Sequence, residues 1–291
     1  MNGVLNIFKN TGMSSFDVVR IVKKVACEKK VGHTGTLDPE ASGVLPVCMG
    51  KATKIIDYIM NDKKSYKVKF KLGLTTTTYD LEGDVLSESD ISMITSEDVL
   101  KCIDTFKGTY SQVPPMFSAL KKNGVRLYEL ARKGIEVERE GRPITIYDIK
   151  DVEINLPYVS MEVTCSKGTY IRSLCYDIGE KLKVGACMTE LRRTETSCFH
   201  ERDSINIDEL TNENIENYII SIEDALKNYP KLKVNEGFRK LLVNGVRVMD
   251  RRLTNEKIED NVLYRVYDES DKFIGLGKRE VNGFKIEKLL I

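Results

Sequence analysis

The sequence predicts a mixed α/β protein that ends in a small antiparallel β unit. Three observations carry that reading. Residues 65–72, SYKVKFKL, alternate strictly, with Tyr66, Val68, Phe70 and Leu72 on one side and Lys67, Lys69 and Lys71 on the other. That is the period of a strand with one buried face. Helical spacing governs other stretches, among them SSFDVVRIVKKVA, SEDVLKCIDTF and TYIRSLCYDIGEKL. Beyond Tyr229-Pro230 the pattern changes to short alternating segments, LYRVY, KFIGLG and FKIEKLLI, separated by DESD and Asn282-Gly283. The chain is therefore divided into 1–229 and 230–291.

Taken in order, VLNIF (4–8) reads as a strand. Ser14, with Asp17 three residues on, forms a capping box for a helix whose Phe16, Val19, Val22 and Val25 share a face. A glycine-rich segment, VGHTGTLDPEASGVL (31–45), follows, then a short helix in GKATKIIDYIM. SEDVLKCIDTF (96–106) is a capped amphipathic helix, VPPMFSALKKNG a loop, and LYELARKG a short helix closed by Gly134. RPITIYDIKDVEI and VSMEVTC read as strands, and the helix after KGTY places Leu174, Ile178 and Leu182 together.

Composition bounds the function. Hydrophobic residues make up 41% and charged residues 31% of 291, which suits a soluble protein with a sizeable core. No apolar run reaches membrane-spanning length and the N-terminus carries no signal-peptide pattern, so the expected location is the cytoplasm. Seven scattered cysteines without a C-x-x-C pair read as reduced thiols, and two histidines give little material for a metal site. Net charge is only +1, but KSYKVKFK (64–71), LKKNGVR (120–126), LRR (191–193) and DRR (250–252) are local basic runs. Each is by itself ordinary surface charge.

The glycine-rich segment holds the candidate chemistry. Gly43 to Gly50-Lys51 fails as a phosphate-binding loop: six residues separate the glycines, Pro46 intervenes, and Ala52 stands where a hydroxyl is required. Asp38-Pro39-Glu40 fits a helix N-terminus, with aspartate as cap. It also fits a carboxylate on a tight loop that Gly32, Gly35 and Gly43 let a large substrate approach. Arg172 falls in a first helical turn, where the dipole disfavours a cation by roughly 0.3–1 kcal/mol. It pairs with a distant carboxylate or phosphate, or else lies on the surface beside Asp177 or Glu180. Tyr66 is a core aromatic or a ring that stacks on a planar substrate. His33 is ambiguous. On these residues alone the chain reads as an RNA or nucleotide enzyme with a carboxylate site.

Seven ordered blocks add to this reading: NGVLNIFKNTGMSS (2–15), GHTGTLDPEASGVLPVCMGKATK (32–54), KSYKVKFKLG (64–73), PPMFSALKKNGVRLYELARKGIEV (114–137), RPI (142–144), CSKGTYIRSL (165–174) and LRR (191–193). Together they resemble the bacterial tRNA pseudouridine synthases of the TruB family. The resemblance implies a pseudouridine synthase fold, with a central, mostly antiparallel sheet flanked by helices, and a small C-terminal β-barrel similar to a PUA domain. It implies isomerisation of uridine 55 in the tRNA T-loop to pseudouridine, with no cofactor and no metal. By motif, Asp38 is the catalytic aspartate, Tyr66 stacks on the base and assists proton transfer, and Arg172 pairs with Asp38. His33 holds the T-loop open, Tyr170 and Leu191 line the uridine pocket, and Asp80 lies near Arg172.

The implied partner is tRNA, gripped at the T-arm by an insertion spanning 114–144 and at the acceptor stem by 230–291. No membrane and no guide RNA are expected, and the chain is expected to act as a monomer. The family pattern is broken at Asn10, where proline is usual, and at Thr77, where aspartate is common. Two rival readings are an RNA-folding chaperone without catalysis and a synthase that works with guide RNAs.

Overall fold

A computed structural model describes residues 1–249, 254 and 256–291. The basic run at 250–252 lies outside the described residues. Among those described, eleven strands form one sheet. Its spine runs Ile205–Asn206, Gly3–Lys9, Ser42–Met49, Ala186–Thr196, Lys64–Leu72, Tyr158–Cys165, Arg142–Asn155, Gly108–Gln112. Pairing is antiparallel except where Gly3–Lys9 meets Ile205–Asn206 and where Ser42–Met49 meets Ala186–Thr196. Tyr66 lies at the centre, opposite Val163 on one side and Arg193 on the other.

The alternation in the Lys64–Leu72 strand is realised. Tyr66, Val68, Phe70 and Leu72 are buried, while Lys67 is exposed. Helices Ser15–Val25, Ser96–Asp104 and Ile171–Lys181 cover this face, contributing Val18, Val22, Val99, Ile103, Leu174 and Ile178 to a continuous core. Each such side chain, fully buried, stabilises the fold by roughly 1.5–3 kcal/mol.

The capping box at Ser14 and Asp17 is present, and Thr95 and Asp98 form a second one. Phe16 departs from expectation. It is 60% exposed, with Arg20 over its ring, and Val18 takes the buried position. A four-residue shift along the helix carries Val18 to Val22, so the core stripe runs through these two rather than through Phe16.

Within VPPMFSALKKNG, expected as loop, Lys121–Lys122 instead forms a short hairpin with Val125–Arg126. Asn123 and Gly124 both have positive φ, as a tight primed turn requires.

In the C-terminal part, Lys231–Lys233, Leu263–Tyr267, Phe273–Glu280 and Gly283–Leu289 form a separate sheet in that order. Helix Glu236–Val243 packs on it through Phe238, which meets Phe284 edge-on. Leu276 and Leu290 join Val4, Val44, Cys48 and Ile55 in a second cluster, so the small sheet packs against the back of the large one. No helix among the described residues is long and apolar enough to cross a membrane.

Candidate active site

The segment around Asp38 is not a helix. The Ala41 N–H donates to the Asp38 carbonyl at 3.1 Å, closing a turn. With Gly43 two residues later entering a strand, no room remains for a helical turn, so the capping reading of Asp-Pro-Glu fails.

The backbone on either side of Asp38 is fixed. Ser15 Oγ accepts from the Leu37 N–H at 2.8 Å and donates to the Leu37 carbonyl at 3.0 Å. The Pro39 carbonyl accepts from the Gly12 N–H and from Lys9 Nζ, both at 3.0 Å. Lys9 is wholly buried, and its ammonium also donates to the Asn10 and Met13 carbonyls at 2.9 and 2.7 Å. Burial pulls its pKa down to about 8, and the nearby Asp38 carboxylate opposes the shift.

Gly43 shows why the segment needs glycine. Its φ is +110°, and a Cβ there would lie 2.2 Å from the Arg193 carbonyl oxygen. Here the glycine serves close strand packing.

Arg172, on helix Ile171–Lys181, is 6% exposed and reaches two carboxylates. Its Nη2 lies 3.1 Å from Asp38 Oδ2, and its Nη1 lies 2.9 Å from Asp80 Oδ2. Nη1 also donates to the Thr78 carbonyl at 3.2 Å, and Nη2 to the Phe117 carbonyl at 3.0 Å. The surface placement beside Asp177 or Glu180 is excluded. Asp80 is itself held, accepting from the Thr78 hydroxyl and from the Glu82 N–H.

Asp38 and Asp80 open onto a cleft of about 820 Å³, which Val68, Leu81 and Leu191 also line. The structure thus brings Asp38, Asp80, Arg172 and Leu191 together. Tyr66, Tyr170 and His33 are not among the residues lining that cleft.

Tyr66 is buried behind it, two residues along the same strand face from Val68. Burial raises its phenol pKa, and Arg193 opposes the rise. The Tyr170 phenol is also raised by burial, with Ser118 and Arg172 opposing. Both rings are therefore neutral at physiological pH. His33 ends the Val31–His33 strand, half-buried, and its Nδ1 accepts from the Gly35 N–H at 3.3 Å. Burial and then Arg193 lower its pKa, so the imidazole is uncharged.

Arg193 was expected in a surface basic run and is instead 1% exposed. Its Nε donates to the Val44 carbonyl at 2.7 Å and its Nη2 to the Gly35 carbonyl at 3.1 Å. With Lys9 it forms a pair of buried cations under the Asp38 turn that the sequence reading did not single out. The signal was present: in a strand, Arg193 shares a face with Leu191.

A mixed sheet that sets an arginine between two carboxylates at a cleft marks the candidate active site of an enzyme. Residues 23–171 match the model of the TruB family pseudouridylate synthase (N terminal domain), and 172–228 that of the tRNA pseudouridylate synthase B C-terminal domain. The chain is 64% identical over 292 residues to a tRNA pseudouridine synthase B of Clostridium perfringens (strain SM101 / Type A), covering 100% of this chain and 99% of the other. It is 58% identical over 291 residues to a protein of the same name from Clostridium tetani (strain Massachusetts / E88), covering 100% of both. Among solved structures, a chain in the "Crystal Structure of a Cbf5-Nop10-Gar1 Complex" matches with a TM-score of 0.76 and 28% identity, over 99% of this chain and 85% of that one. A chain in the "Structure of H/ACA RNP bound to a substrate RNA containing 2'-deoxyuridine" matches at 0.74 and 25%, over 99% and 85%. The chain belongs to the TruB family of pseudouridylate synthases.

Proposed function

We propose that this chain isomerises uridine 55 in the T-loop of tRNA to pseudouridine. The observation that carries the reading is the placement of Asp38: a carboxylate at the mouth of a cleft, on a turn pinned at Leu37 and Pro39, bridged by a buried arginine. The reaction breaks the C1′–N1 bond of uridine and forms C1′–C5. The C5 hydrogen is lost and a proton is gained at N1, so composition is unchanged. The base must leave its stack to be reached, at a cost of a few kcal/mol.

Asp38 acts on the extruded uridine while Arg172 fixes its oxygens and Asp80 fixes Arg172. Leu191 and Val68 offer an apolar wall to the base. Tyr66, beneath them, stacks on the base and relays a proton once RNA has entered. Tyr170 closes the other side. The neutral His33 ring occupies the space the base leaves. Exclusion of water keeps detached uracil from escaping.

Residues 1–229 form the catalytic domain and 230–291 a PUA-like RNA-binding domain. The exposed Lys121, Lys122 and Arg126 of the hairpin grip T-arm phosphates, so binding weakens with salt. The enzyme works in the cytoplasm, as a monomer, without guide RNA. Full-length identity to relatives named for a tRNA synthase favours this over a guide-RNA enzyme.

The test is Asp38→Asn on tRNA carrying tritium at uridine C5. Tritium release disappears while tRNA binding persists. Normal release by the variant refutes the mechanism, and binding without release in the wild type supports the chaperone reading. Mapping pseudouridine in RNA from a deletion strain fixes the position: loss confined to the T-loop agrees with the proposal.

A further inference from the structure

Gln112 is the last residue of the Gly108–Gln112 strand and is 2% exposed. Its side-chain amide makes a two-way pair with the backbone N–H and C=O of a single residue, Tyr170. Oε1 accepts from the Tyr170 N–H at 2.9 Å, and Nε2 donates to the Tyr170 carbonyl at 3.1 Å. Nε2 also lies 3.3 Å from the Tyr110 hydroxyl.

Tyr170 is the N-cap of helix Ile171–Lys181 and makes no side-chain capping bond of its own. Gln112 therefore binds, from a strand 58 positions away, the N-cap backbone N–H that a glutamate or glutamine at the third helical position binds in a capping box. Arg172 and Ser173 return the contact. Arg172 Nη2 donates to the Phe117 carbonyl at 3.0 Å, and Ser173 Oγ to the Val113 carbonyl at 3.2 Å. The root of the insertion, 112–117, and the first turn of the helix, 170–173, are stitched together by these four bonds.

We propose that Gln112 is a positioning residue for the reaction: it sets the helix start that aims Arg172 and Tyr170 at the catalytic aspartate and ties that aim to the insertion. This rests on the assignment of Asp38, Arg172 and Tyr170 to the active site. Of the side chains matching glutamine in length, only glutamine offers both a donor and an acceptor whatever the pH, since glutamate does so only when protonated. Glutamate has the same shape, keeps the acceptor for the Tyr170 N–H, and sets a lone pair against the Tyr170 carbonyl. The chemistry thus provides an isosteric test.

The experiment compares Gln112→Glu with the wild type at about pH 8 and about pH 6, with kcat expressed per folded molecule. A misaimed catalytic group costs on the order of 10- to 100-fold in turnover, so kcat of Gln112→Glu falls by that much at the higher pH while KM for tRNA stays within about twofold. Burial raises a carboxyl pKa; on acidification the glutamate regains a proton, donates to the Tyr170 carbonyl, and recovers most of the loss. A purely structural residue would lower the melting temperature and leave kcat per folded molecule unmoved at either pH. That result, or wild-type kcat at about pH 8, overturns the proposal.

If Gln112→Glu does not fold, the near-isosteric Gln112→Met replaces it, with the same fall expected and wild-type kcat again decisive against. Asp38→Asn and Arg172→Lys are run alongside. Loss of turnover in both, with Gln112→Glu unaffected, removes the positioning role alone. Turnover retained in both removes the site assignment itself.

Discussion

Arg172 and Asp38 meet at 3.1 Å with unequal burial: the guanidinium side chain is 7% exposed and the carboxylate 41%. The arginine is the fixed partner, and what fixes it is Asp80, 2.9 Å from its other terminal nitrogen and itself 11% exposed. Removing a partner from a buried charge is costly because the remaining charge cannot return to water. Asp80→Asn therefore leaves Arg172 held only by the Thr78 and Phe117 carbonyls and draws it toward Asp38. Turnover falls about 10- to 100-fold while tRNA affinity changes little, by the logic that only transition-state geometry is lost. Single-turnover kinetics against a filter-binding titration checks it, and a pure affinity loss speaks against it.

Lys9 gives the second prediction. Its ammonium satisfies three carbonyls at the root of the Asp38 turn, and among the described residues no carboxylate forms a salt bridge with it. Lys9→Met keeps most of the volume and removes every donor. Stranding buried carbonyls costs about 1–3 kcal/mol each before relaxation, so the loss in stability is about 2–4 kcal/mol in urea unfolding. Turnover falls beyond what the folded fraction explains, because Pro39 neighbours Asp38. An unchanged unfolding midpoint contradicts the role.

Much of the fold was legible because two periods ran cleanly. In the Lys64–Leu72 strand the spacing selects Tyr66, Val68, Phe70 and Leu72, all buried, and in the Ile171–Lys181 helix it selects Leu174 and Ile178, both buried, with Leu182 beyond it half-buried. The Asp38 turn was ambiguous at the residue level since Asp-Pro-Glu carries the same local signal in a turn and at a helix start. Its pins, Lys9, Ser15 and Arg193, come from other elements, and no local rule encodes them. Arg193 in particular looked like surface charge because sequence charge says nothing about burial. The Arg172–Asp80 contact, between residues 92 positions apart, is a property of the sheet order.

Gly43 and Gly12 separate steric from conformational demands. Both have positive φ, but a Cβ at Gly43 meets the Arg193 backbone at 2.2 and 2.7 Å, whereas at Gly12 nothing lies within 4 Å. Gly12→Ala costs only the left-handed conformation, roughly 1–2 kcal/mol. Gly43→Ala must push apart two paired strands beside Asp38, and gives a loss above about 3 kcal/mol or no folded protein. Parallel thermal melts decide it, and equal effects at the two sites disprove the packing account.

Asp177 sets a pH dependence of stability. Burial, with Glu180 adding to it, raises its carboxyl from an ordinary 3.8 to about 7. Between these values the native chain holds a proton that the unfolded chain has lost, so this group's contribution to stability declines as pH rises through the window. Below it both states are protonated and the group is neutral in effect. Above it the full cost of a desolvated charge is present. Asp177→Asn removes that cost. The shift corresponds to a few kcal/mol, and partial solvent exposure reduces it to about 1–2 kcal/mol. The variant is therefore the more stable protein at about pH 8, and the two converge near pH 4, as urea unfolding at both values measures. A variant weaker than the wild type at about pH 8 means that the carboxylate has a stabilising partner in solution, and that its pKa lies below the ordinary value.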